Sequence, residues 1–159
     1  MRLLLVDDHP VFLEGLAEAL SRQTDFDIVG MATDSDVPVD ACRHFAPDLV
    51  LLDLAMRGLD GLATLARLRE LAPPPRVLML TSSDDAGDAI AALDAGASGY
   101  VTKLARYDEL VAAIREAAAG GRPIGEAVAR RMALREKHCP LTSREQEVLV
   151  LLAEGLTYE

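Results

Sequence analysis

Over residues 1–120, short apolar runs alternate with longer amphipathic stretches, and no other feature of the chain narrows its fold as much. Five runs have the length of strands: Leu3–Val6, Asp27–Met31, Leu49–Asp53, Arg76–Leu80 and Gly99–Thr102. They carry apolar residues toward both faces, which suits a sheet covered above and below. The stretches between and after them, Pro10–Ser21, Val37–Phe45, Leu62–Leu71, Ala86–Ala95 and Tyr107–Ala119, have helical spacing. Strand and helix in strict alternation predict a parallel sheet wrapped by helices. The punctuation agrees. Asp36 can cap the second helix, with Pro38 in its first turn. Gly96 and Gly120-Gly121 stand where the fourth and fifth helices must stop, and Pro73-Pro74-Pro75 forces an extended entry into the fourth strand.

Half of the residues are hydrophobic, but only 4% are aromatic and Trp is absent, so the core must come from Leu, Val, Ala and Ile. No apolar run approaches the roughly 20 residues that cross a bilayer. Asp7 cuts short any apolar leader, so the chain is expected to stay in the cytoplasm, away from membranes. Cys42 and Cys139 lack metal or disulfide spacing and read as reduced thiols, Cys42 packed on a helix. The net charge of −10 disfavours nucleic-acid binding by the chain as a whole. That charge is uneven: residues 1–120 hold 20 acids and 10 bases, whereas residues 121–159 hold 6 of each.

Beyond Gly121, Glu126–Lys137 is a short amphipathic segment, read as a linker helix, which His138-Cys139-Pro140 ends. Thr142 and Glu145 form a capping box for a further helix reaching Glu154 and closed by Gly155. Its apolar side holds Val148, Leu149, Leu151 and Leu152. Thr157 could cap one more helix.

In open parallel sheets, ligands bind beyond the carboxyl ends of the strands. That rule gathers one set of side chains. The first strand ends in Asp7-Asp8, the third in Asp53 and the fourth in Thr81, and Lys103 follows the fifth. Any single Asp at a strand end could be a turn former or cap; the gathering of five such residues on four strands is what carries weight. Three carboxylates at one rim need a cation, and with few protein ligands and no nitrogen or sulfur donor nearby except His9, Mg²⁺ is favoured over Zn²⁺. A metal does not need Lys103. A lysine beside a carboxylate and a metal suits a transient phosphoryl group, with Thr81 donating a hydrogen bond to one of its oxygens. A carboxylate can itself be the nucleophile in forming an aspartyl phosphate.

These residues resemble the receiver domain of bacterial two-component response regulators, particularly the NarL/FixJ class. The match runs through Leu5-Val6-Asp7-Asp8-His9-Pro10, Asp48–Leu54, Met56-x-Gly58-x-Asp60-Gly61, Leu80-Thr81-Ser82 and Ala95–Lys103, and covers residues 2–120 in order. Leu141–Thr157 resembles the opening of a LuxR-type helix-turn-helix domain. The resemblance implies a flavodoxin-like sheet of order 2-1-3-4-5 with five helices. It divides the chain into a receiver at 1–121, a linker at 122–140 and a partial helix-turn-helix module at 141–159. It also implies that Asp53 accepts phosphate from a sensor histidine kinase or a small acyl phosphate. Asp8, Asp53 and the backbone carbonyl of Ala55 would bind Mg²⁺, with Asp7 acting directly or through water. Thr81 and Lys103 would grip the phosphoryl oxygens. Movement of Thr81 would let Tyr100 change rotamer and remodel the face formed by the fourth helix, fifth strand and fifth helix. Ala55 and Ser83 would border the route of hydrolytic water, and neither can act as a base. The output would be homodimerisation and transcription control. DNA would be contacted only through a recognition helix beyond Glu159, so this chain is expected not to read DNA sequence itself.

Arg57 stands where the family has Pro, and Leu104 follows Lys103 where it has Pro or Asp. A cis bond after Lys103 would cost about 3–4 kcal/mol. A phosphatase with an aspartyl nucleophile would present Asp-x-Asp after the first strand, and a flavin carrier would need a phosphate loop there; Asp7-Asp8-His9-Pro10 is neither. No turnover enzyme is expected. The remaining alternative is a receiver that acts as a protein-interaction module without phosphorylation.

Overall fold

A computed structural model describes residues 1–34, 37–56 and 59–137. The elements follow in order as β1 (Arg2–Val6), α1 (Pro10–Ser21), β2 (Asp27–Ala32), α2 (Val37–Phe45) and β3 (Leu49–Leu52). Then come β4 (Ala55–Met56), β5 (Leu59–Asp60), α3 (Gly61–Arg69), β6 (Arg76–Thr81), α4 (Ala86–Asp94), β7 (Gly99–Thr102), α5 (Tyr107–Ala118) and α6 (Glu126–Lys137). Strands β2-β1-β3-β6-β7 form one parallel sheet, which is the expected 2-1-3-4-5 order once the short β4–β5 ribbon takes two numbers.

Successive side chains on a strand point to opposite faces, and two cores follow from that alternation. Leu4, Val6, Val50, Leu52, Val77, Met79 and Tyr100 pack with residues of α2, α3 and α4 on one face. Leu3, Leu5, Leu49, Leu51, Leu78, Leu80 and Val101 meet α1 and α5 on the other. The central β3 is buried throughout, as its all-apolar sequence requires.

Some boundaries moved. Asp60 caps α3 by accepting from the Leu62 N–H at 2.9 Å, so that helix starts at Gly61 and closes at Arg69, earlier at both ends than the spacing suggested. β3 stops at Leu52, although the Asp53 N–H still bonds the Val6 carbonyl at 2.9 Å. The β4–β5 ribbon was not anticipated. Gly96 and Gly120 both follow helix ends at φ +97°, as expected, and the amides after them reach back to Ala92 and Glu116. Among the described residues the only cis peptide bond is Ala72–Pro73, so the bond after Lys103 is trans. Cys42 is buried on α2, and burial pushes its thiol up to about 11. Asp36, Arg57, Cys139, the capping box at Thr142 and Glu145, and the helix expected before Gly155 lie outside the described residues. Among the described residues no helix is long and apolar enough to cross a membrane.

Candidate functional site

The parallel order lays the carboxyl ends of β1, β3, β6 and β7 side by side, and the acidic residues stand at that rim. Asp7 and Asp53 are both 2% exposed, an unusual burial for carboxylates that implies partners. The partner is Lys103. Its Nζ lies 2.6 Å from Asp7 Oδ2 and 2.7 Å from Asp53 Oδ2, and it sits 4.7 Å from the centre of the Phe12 ring. Desolvation alone would lower the pKa of this lysine. Its hydrogen bonds and charge interactions with Asp53 and Asp7 outweigh that effect and hold it above the ordinary lysine value. The Ala55 N–H, at the start of β4, donates to Asp53 Oδ1 at 3.2 Å.

On the side away from Lys103, His9 Nδ1 is 2.8 Å from Asp8 Oδ1 and 3.1 Å from Asp7 Oδ1. One donor atom from each of Asp7, Asp8, His9 and Asp53 lies within 4.8 Å of all the others. Three carboxylates with one imidazole form a donor set rich in hard oxygen, open to solvent at His9. That chemistry fits a divalent cation that keeps part of its water, as Mg²⁺ does.

Thr81 ends β6, fully buried, beside Lys103, whose N–H donates to the Thr81 carbonyl at 2.8 Å. The Thr81 hydroxyl oxygen accepts the Ser83 N–H at 3.3 Å. Tyr100 is also fully buried. Its hydroxyl donates to the Ser83 carbonyl at 3.1 Å, and burial pushes its pKa up to about 12. The Ser83 hydroxyl is engaged with Asp88 Oδ2 at 2.6 Å.

Asp7, Asp8, Asp53 and Lys103 therefore meet as the strand-end rule predicted, with Thr81 on the adjoining strand. Tyr100 lies one layer below, reaching the rim through Ser83. Two residues of the site received no role from sequence. His9 had a visible signal in following the acid pair directly. Phe12 had none, because nothing in the chain tells which helical aromatic will face a lysine some ninety residues away.

A family model described as the response regulator receiver domain matches residues 3–115. Among curated proteins, the chain is 35% identical to the nitrate/nitrite response regulator NarL of Escherichia coli K12, over 97% of this chain and 76% of that one. It is 37% identical to the transcriptional regulatory protein LiaR of Bacillus subtilis, over 99% and 78%. Among solved structures, a LuxR-family two-component response regulator from Aurantimonas superposes with a TM-score of 0.81 at 34% identity, over 87% of this chain and 98% of that chain.

Proposed function

The chain belongs to the response regulator receiver family, and on that premise we propose that it is switched by a phosphoryl group carried on Asp53. The observation that supports this most is the Lys103 ammonium, 2.7 Å from the Asp53 carboxylate and shared with Asp7 at a rim otherwise built of acids. A cation held there draws an anionic group onto a carboxylate that would otherwise repel it.

In the proposed step an Asp53 carboxylate oxygen attacks phosphorus, and a P–O bond forms. The bond from phosphorus to the donor breaks, and its electron pair leaves with the donor: the imidazole nitrogen of a kinase phosphohistidine, or the carboxylate of an acyl phosphate. Lys103 exchanges its hydrogen bond with Asp53 for one with a phosphoryl oxygen, and the Thr81 hydroxyl turns to donate to another. Asp8, Asp53 and the Ala55 carbonyl would hold Mg²⁺, with Asp7 bound directly or through water. Bound there, the ion supplies neutralisation of the charge that develops on the transferring oxygens. The group stays until water removes it, and there is no steady turnover.

By this reading residues 1–121 are the receiver, 122–140 the linker and 141–159 the opening of a helix-turn-helix module. A sensor histidine kinase supplies the phosphoryl group, and a second copy pairs with the activated chain. The test is incubation with Mg²⁺ and acetyl phosphate, followed by intact-mass and peptide-mass measurement. One phosphoryl group should be gained on the peptide holding Asp53, and both EDTA and Asp53→Asn should abolish it. A mass gain that survives Asp53→Asn rejects the assignment. No gain at all favours a receiver that works by protein contact alone.

A further inference from the structure

His9 is the N-cap residue of α1, with an extended backbone at φ −104° and ψ 97°, yet its side chain makes no capping hydrogen bond. The imidazole turns to the rim instead, where Nδ1 lies 2.8 Å from Asp8 Oδ1 and 3.1 Å from Asp7 Oδ1. The His9 N–H donates to the same Asp7 oxygen at 3.0 Å, so the backbone also fixes the residue against that carboxylate. The side chain is 59% exposed, so burial of apolar surface does not account for its position.

Lys103 and His9 divide the rim between them. The ammonium takes Oδ2 of Asp7 and Oδ2 of Asp53, while the imidazole faces Oδ1 of Asp7 and Oδ1 of Asp8. Three carboxylates against one ammonium leave two negative charges, which a divalent ion balances. Ligands at right angles around an ion with bonds of about 2.1 Å stand about 3.0 Å apart. Nδ1 already has that spacing from two carboxylate oxygens, and a ligand oxygen of Asp53 lies within 4.8 Å of ligand atoms on the other three residues. With its ring proton on Nε2, a neutral imidazole offers the Nδ1 lone pair to a metal. A nitrogen donor changes which ion suits the set. Mg²⁺ prefers hard oxygen and gives up its water reluctantly, whereas imidazole favours the later first-row cations.

We infer that His9 is a metal ligand through Nδ1, and that it makes this rim bind a first-row transition cation in preference to Mg²⁺. The inference rests on the reading of Asp7, Asp8 and Asp53 as a cation site, and it stands whether or not Asp53 accepts phosphate. His9 is then the one nitrogen in an otherwise oxygen set, and its loss leaves a site suited to Mg²⁺ alone.

Calorimetric titration of the 159-residue protein with Co²⁺ and with Mg²⁺, and pulsed EPR of the Mn²⁺-loaded protein, test this. Co²⁺ should bind at least about ten-fold more tightly than Mg²⁺, and His9→Ala should erase that margin. The Mg²⁺ affinity of the variant should stay near that of the parent, which also verifies its fold. His9→Gln, which keeps a polar side chain without the ring, should lose the margin as well. The Mn²⁺ spectrum should show coupling to one imidazole nitrogen, absent from both variants. Mn²⁺ bound without that coupling, or coupling that persists in His9→Ala, overturns the ligand assignment and leaves the Asp53 reading untouched. Equal losses of Co²⁺ and Mg²⁺ affinity in His9→Ala do the same, and Co²⁺ binding no tighter than Mg²⁺ overturns the preference. Binding of neither ion overturns both this inference and the cation site beneath it.

Discussion

Lys103 is 12% exposed and faces two carboxylates that are more deeply buried still. Because its pKa is raised in the folded protein, its stabilising contribution is complete below the ordinary lysine value, near pH 10.4, and is lost as pH climbs through the folded-state value. Lys103→Ala leaves Asp7 and Asp53 facing each other without a cation, a loss on the order of 3–5 kcal/mol. A divalent cation can take over the neutralising role, so the variant should bind Mg²⁺ more tightly than the parent while taking up phosphate more slowly. Urea unfolding at neutral pH, in EDTA and in Mg²⁺, measures both effects. A variant as stable as the parent in EDTA, or one with weakened Mg²⁺ affinity, contradicts this account. The acids of this site were legible because each closes an apolar run, and a run's end in sequence is its end in space. The contacts of His9 and Phe12 were not, since side-chain direction across the rim depends on how α1 is rotated against the sheet.

At the scale of elements, local chemistry set most boundaries and one strained exception. Ala46 follows α2 at φ +44° with its N–H bonded to the Cys42 carbonyl, a left-handed conformation that a Cβ disfavours. It is exposed, so removing its methyl leaves no cavity. Ala46→Gly should therefore stabilise the protein by about 0.5–1 kcal/mol, strain relief exceeding the added freedom of the unfolded chain. Thermal unfolding checks it; a lowered Tm would show that the strain is absent. The β4–β5 ribbon escaped the sequence reading because two pairs of residues are too few to leave a periodicity. Its register pairs Ala55 with Asp60 and Met56 with Leu59, and just beyond it the Gly61 N–H bonds the Leu54 carbonyl at 3.0 Å.

For the molecule as a whole, both cores are built on the same five strands, so neither can melt alone. Leu51 and Leu52 are neighbours on β3, 2% and 0% exposed, yet they belong to opposite cores. Leu51→Ala and Leu52→Ala should each cost about 2–5 kcal/mol and shift one common unfolding transition. Denaturant melts followed by far-UV dichroism and by Tyr fluorescence test this; separable transitions would mean that the faces are independent.

Periodicity, strand ends and the order of Asp7, Asp8, Asp53, Thr81 and Lys103 were enough to specify the layered sheet and the composition of its rim. These are properties of where residues stand along elements whose geometry is regular. The bridging of two buried acids by one ammonium, the approach of His9 to Asp7 and Asp8, and the return of residues 123–125 onto Tyr100 were decided by the tertiary structure. Each depends on distances between chain segments far apart in sequence, and such distances arise only when helices rotate to bury their apolar faces against a common sheet.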